Sequence, residues 1–248
     1  MKNKESDYLL DFFLTQQAKL DEIFKETNPD YLSELRSQAE KNIQTYEKRN
    51  NFNSLLQENQ FEKNSFITIP HYILDQSFAD FLGVKVEDTF DKEQIAALFT
   101  PIAKRIEKEP SFFFSKTNCF FIHSGFFSSE SDIYRSVAQN FKGMFLFANG
   151  KDHYELQLLT EIGRDFGISI LFVASNLEEV NEILKTDAPY LVISAYHPKD
   201  FQTNLALPMT AISKVPNTCR CFCLAPPLLA KESEALKQLG FSGLFSTF

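Results

Sequence analysis

From Asn118 onward the chain alternates between short apolar runs and longer amphipathic ones, and this alternation leaves few folds open. The apolar runs are "CFFIHS", "GMFLFA", "SILFVA", "YLVISA", "CRCFCLA" and "GLFST". Helical patterning joins them over about 129–140, 152–166, 177–185, 205–214 and 229–239, and the unit recurs about every 22–30 residues. Strands that lack polar alternation are buried on both faces, so the pattern predicts a parallel sheet covered by helices. Counting back, "SFITIPHYIL" is the first strand, and the second falls at "LGVKVED" (82–88) or "SFFFSK" (111–116). Eight such strands predict an α/β fold, a (β/α)8 TIM barrel, rather than an open sheet. Two departures are expected: room for only one full helix between the first and third strands, and no eighth helix after the last strand.

The first sixty residues read as a helical extension packed on a single barrel domain spanning 1–248. Leu9, Phe12, Phe13, Leu20, Ile23 and Phe24 recur near helical spacing, and a second helix starts at Asn28-Pro29-Asp30. The net charge of −8 argues against nucleic-acid or anionic-membrane partners, which need a concentrated basic surface. Neither a signal peptide nor an apolar membrane span is evident, which predicts a cytoplasmic protein. Cys219, Cys221 and Cys223 alternate along one strand, too close for the usual disulfides and off the CxxC spacing of zinc sites. They are expected as free buried thiols. There is no dinucleotide fingerprint, P-loop or HExxH motif, so the sequence implies no cofactor. The 27 phenylalanines, with no tryptophan, read chiefly as core filling.

At the level of motifs, Phe120 to Phe248 resembles indole-3-glycerol phosphate synthase. "SDIYRSVAQNFKGMFLFA" is similar to that family's third helix and fourth strand, "FQTNL" to its F-x-V-D-L, and "EALKQLGFSGLF" to its E-x-L-x-x-A-G-A-D-A-x-L ending. The N-terminal helices match the family's extra segment, while about 50–118 match weakly. The resemblance implies ring closure with decarboxylation and dehydration of a phosphorylated anthranilate-ribulose. That chemistry uses lysines as acid and clamp, glutamates as base, and a backbone-amide phosphate site at the strand C-termini.

Position by position, those groups are replaced. Pro70 and Tyr72 stand at the family's E-x-K, Ser124 at its third-strand lysine, and Val173 at its fifth-strand glutamate. Ser194-Ala195-Tyr196 takes the place of N-N-R, Leu224 that of the seventh-strand glutamate, and Ser246-Thr247-Phe248 that of the phosphate-binding V-G-E-S. Pro226 and Pro227 lack the N–H that an amide cradle requires. Loss of one such group costs about 10²–10⁴-fold, and here they are lost together. The resemblance therefore implies a catalytically degenerate barrel with a binding or protein-interaction role. The alternative is a working synthase or neighbouring barrel isomerase with a rearranged site, for which only Lys116 and Lys151 lie near the mouth. A diverged barrel enzyme with another substrate is a third possibility, without a legible phosphate rim. Tyr72, Ser124, Asn149, Ser175, Ser194 and Tyr196 are the inward candidates for holding a small uncharged ligand. His71, His123, His153 and His197 lie near strand ends, but strand parity turns His71 and His123 outward and no carboxylate accompanies them at ligand spacing in the sequence, so no metal site is expected. A homodimer or protein partner is expected on apolar surface beside the absent eighth helix.

Overall fold

Buried on both faces, the apolar runs pair edge to edge and in chain order. In the computed structural model, which describes residues 30–45, 52, 66–73, 95–99, 119–197 and 202–247, eight parallel strands close a barrel in the order β1 to β8. For 44–45, 71–73, 99 and 247 only the backbone is described. The strands are β1 (Ile67–Ile73), β2 (Ile95–Phe99), β3 (Phe120–Ser124), β4 (Gly143–Phe147), β5 (Ser169–Ala174), β6 (Tyr190–Ser194), β7 (Arg220–Ala225) and β8 (Gly243–Thr247). The described helices are α1 (Tyr31–Thr45), α2 (Glu130–Ala138), α3 (His153–Asp165), α4 (Leu177–Ile183), α5 (Ala206–Ala211) with a 3₁₀ turn at Ile212–Lys214, and α6 (Ala230–Gln238). The (β/α)8 architecture expected from the alternation is the one adopted.

The second strand is a correction. It is "IAALF", not 82–88 or 111–116, both of which lie outside the described residues, as do the predicted helix over 9–24 and the connections between β1 and β3. Alanine and leucine favour helix, so this run gave no strand signal. Its place between β1 and β3 overrides propensity: Ala97 joins the barrel interior while Ala96 and Leu98 join the outer layer.

Period-two alternation divides the core into two clusters. The inner one fills the barrel with Ile67, Ile69, Phe120, Ile122, Phe145, Leu171, Val173, Val192, Phe222, Leu224 and Phe245. Phe145 and Phe245 meet edge to face at 4.8 Å, so the axis is packed solid with aromatic rings. Gly243 opens β8 because a Cβ there would lie 2.4 Å from the Ile67 carbonyl oxygen of the neighbouring strand. At the N-terminal base, Phe52 is fully buried, 5.1 Å edge-on from Tyr190 and 5.5 Å from Phe120, and its N–H donates to Ser169 Oγ at 3.2 Å.

The outer cluster joins strand faces to helices. Asp132 of α2 is buried; its Oδ2 accepts the Ser128 and Ser129 N–H groups at 3.0 Å each and its Oδ1 pairs with Arg135 at 2.8 Å. Arg135 also donates to Tyr31 Oη at 3.1 Å, and Asn42 donates to the Ala138 carbonyl at 2.6 Å. These bonds fasten α1 along α2. On the outer face of β1 and β8, Thr68 is exposed, Pro70 and Ser246 are half-buried and Leu244 is buried. Among the described residues the large exposed apolar side chains are Tyr154 and Leu158 on α3, Met209 on α5, and Leu229 and Leu239 flanking α6.

Candidate functional site

The C-terminal ends of the strands form the mouth, the end where barrel enzymes place their chemistry. Alternation from Phe120 and Ile122 turns Ser124 inward at the end of β3, where it is buried and its hydroxyl bonds to no described residue. Val173 and Leu224 belong to the inner cluster and present only hydrocarbon. Ser194, at the end of β6, accepts the Tyr196 N–H at 3.1 Å and donates to the Tyr196 carbonyl at 3.3 Å, so its hydroxyl shapes the loop. That loop is pinned by Ala195 N–H to Leu224 O at 2.8 Å, Asn204 N–H to Ala195 O at 2.7 Å, and an antiparallel bridge between Tyr196 and Thr203. The Tyr196 ring packs down on the inner cluster beside Phe147, and Phe147 lies 6.0 Å from Phe126. The described mouth is an aromatic cap over an aromatic core.

Two of the inward assignments change. Because Ile67 and Ile69 face the interior, Pro70 faces outward and pairs in register with Ser246, so β1 runs in the opposite parity from that expected. In the same strand Tyr72 pairs with Leu98, a residue of the outer layer; the side chains of His71 and Tyr72 are outside the described residues. Asn149 does not line the wall: β4 ends at Phe147, and Asn149 occupies an exposed turn at φ 47°, where asparagine is tolerated. Ser175 follows the end of β5, and its N–H donates to Glu179 Oε2 at 2.7 Å. After β7, Pro226 is half-buried and Pro227 exposed.

The described histidines do not converge on the mouth. His123 faces the helices, stacked 4.1 Å from Phe141 and 4.4 Å from Phe127. Ser136 spends its one proton on the Asp132 carbonyl at 2.8 Å, so the 2.8 Å contact to His123 Nδ1 is donated by the imidazole. Burial, reinforced by nearby Arg135, pushes its pKa down to about 3 and keeps it neutral. His153 opens α3, with Nδ1 3.2 Å from Glu182 Oε2, and His197 is exposed beyond Tyr196. Among the described residues, no three His, Cys, Asp or Glu side chains are grouped to hold a metal. Cys221 and Cys223 lie in the outer cluster with Cys219 packed against it, and burial pushes the Cys219 and Cys223 thiols up to about 12.

Two charged residues on the rim stand out. Glu179, in the first turn of α4, accepts from Ser175 and lies against the Gly150 amide, tying the loops after β4 and β5 together. Burial raises its pKa, with the amide bonds opposing. Half-buried Lys151, in the loop after β4, has its pKa lowered by burial against the pull of Glu155, Asp132 and Glu179. Glu179 escaped the sequence reading, although "NLEE" carries the N-x-x-E signature of a helix start, and Asn176 Oδ1 does accept the Glu179 N–H at 2.9 Å.

No protein-family model matches the chain, and no curated protein matches it. Solved structures similar to it include thiamine phosphate pyrophosphorylase from Pyrococcus furiosus, at 13% identity over 75% of this chain and 86% of that one, TM-score 0.48. N-acetylmannosamine-6-phosphate 2-epimerase from Clostridium perfringens is similar at 14% identity over 73% and 85%, TM-score 0.48. The tryptophan synthase complex from Pyrococcus furiosus is similar at 13% over 73% and 86%, TM-score 0.46. The barrel is established by the strand order itself.

Proposed function

We propose that the chain is a barrel of indole-3-glycerol phosphate synthase type whose catalytic positions have been replaced, and that it acts by binding rather than by turnover. The observation that carries this reading is the inward wall of the upper barrel. Ser124, Val173, Ser194 and Leu224 supply two hydroxyls, one of them spent on its own loop, and no acid or base. Closing a ring with loss of carbon dioxide needs proton donors and acceptors at the reacting atoms, and neutral alcohols do not supply them. The binding role is a protein contact, in a homodimer or with another protein, made through exposed apolar residues that include Leu229 and Leu239 beside β8. Buried free thiols suit a cytoplasmic location.

The test is turnover of the phosphorylated anthranilate-ribulose, followed by indole fluorescence, which a chain with no tryptophan leaves free of background. No turnover by folded protein is expected. Turnover that Ser124→Ala abolishes would overturn the reading.

One observation favours a second reading, a working enzyme with a rearranged site. Lys151 and Glu179 both sit at the rim, and burial lowers the pKa of the first and raises that of the second, the directions that acid and base catalysts use. Under that reading, turnover is present and is lost in both Lys151→Met and Glu179→Gln.

A further inference from the structure

At the base of the barrel, opposite the mouth, a half-open groove of ≈ 350 Å³ runs between the second half of α3 and the first residues of β5 and β6. That volume lies in the range of small-molecule clefts. Its floor includes Ile168, Ile170, Pro189 and Tyr190, and its two charged residues are Arg164 and Asp187. Both are exposed. Neither side chain forms a hydrogen bond or ion pair with the other or with any described residue; Asp187 is held only through its N–H, which donates to Gln157 Oε1 at 3.0 Å. Of the groove's other polar side chains, Thr160 donates to the Leu156 carbonyl, Ser169 accepts the Phe52 N–H, and the Tyr190 ring packs edge-on against Phe52.

The groove therefore offers a ligand one guanidinium, one carboxylate and an apolar floor. A purely anionic or purely cationic ligand would meet repulsion from one of the two charges. A free α-amino acid carries both countercharges on one carbon, so it bridges two protein charges that share a groove without pairing. Its side chain then falls on the isoleucine, proline and tyrosine surface. We propose that this groove binds a free α-amino acid with an apolar side chain, its carboxylate on Arg164 and its ammonium on Asp187. The site is independent of what happens at the mouth. It shares Tyr190 and Ser169 with the seat of Phe52.

The test is calorimetric titration of the full chain with L-leucine and L-phenylalanine. Phenylacetate and phenethylamine serve as probes lacking the ammonium and the carboxylate respectively. Saturable binding of an amino acid is expected, weakened at least about tenfold by Arg164→Gln, by Asp187→Asn and in each half-ligand. Because both side chains are exposed and unbonded, the variants should keep the wild-type Tm without ligand. No saturable binding of either amino acid at millimolar concentration would overturn the proposal. Binding that both substitutions leave unchanged, or that phenylacetate and phenethylamine reproduce in full, would overturn it equally.

Discussion

Acidification should destabilise this protein through His123 before the bulk of its carboxylates titrate. Enclosed by Phe127, Phe141 and Ser136, the imidazole has no room for a hydration shell, and Arg135 adds like-charge repulsion to the cost of protonating it. Its folded pKa of about 3 lies below the unfolded value of about 6.5. The unfolded chain therefore takes up a proton below about pH 6.5 that the folded chain refuses. Stability is intact above that pH and falls by about 1.4 kcal/mol per pH unit until the folded pKa is reached. Between pH 7 and 4.5 the loss is about 3 kcal/mol, a large part of an ordinary domain's stability. His123→Phe isolates the effect. It preserves the stack on Phe141, and Ser136 keeps its donated bond to the Asp132 carbonyl while losing only the one it accepts. Urea denaturation at pH 7, 5.5 and 4.5, followed by circular dichroism, should show the wild type losing about 3 kcal/mol more than the variant over that range. Carboxylate titration is common to both proteins and cancels. Parallel losses in the two proteins would refute a buried neutral histidine.

Other substitutions probe the barrel's ends. Phe52→Ala removes the ring that fills the base between Phe120, Tyr190 and Phe222, and should cost about 3–5 kcal/mol in the urea midpoint with secondary structure retained. Gly243→Ala drives a methyl into the Ile67 backbone and should cost about 1–3 kcal/mol; a neutral result in the same assay would mean that β1 and β8 are not held at this separation. Glu179→Gln keeps an acceptor for the Ser175 amide and should leave the Tm at pH 7 unchanged or raised, because the raised pKa marks a carboxylate whose charge burial opposes. Glu179→Ala removes the acceptor and should cost about 1–2 kcal/mol.

How much of this molecule could be read from its residues follows from how locally each feature is determined. Strands β3 to β8 were legible within a residue or so because each is a short apolar run flanked by turn and cap residues, and burial on both faces leaves no alternative. Ser129, Asp152 and Asn176 mark helix starts by the same local chemistry, and each sits at the N-cap. β2 was not legible, because "IAALF" is strand only by virtue of the strands on either side of it. The error at Pro70 has a related cause: in a period-two element, a one-residue slip reverses every side chain, and the slip is invisible until Ile67 and Ile69 are known to face the axis. Asn149 failed for a third reason, since alternation stops where the backbone enters the left-handed region, and no apolar pattern announces that point. His123 was placed outward correctly, but the two rings that hold it come from the loop before α2 and the turn after it, so its low pKa belongs to tertiary packing. The groove at the base lies furthest from local signals. Arg164 ends a helix and Asp187 sits in a loop beyond the next one; only closure of the barrel brings an unpaired cation and an unpaired anion to the same apolar floor.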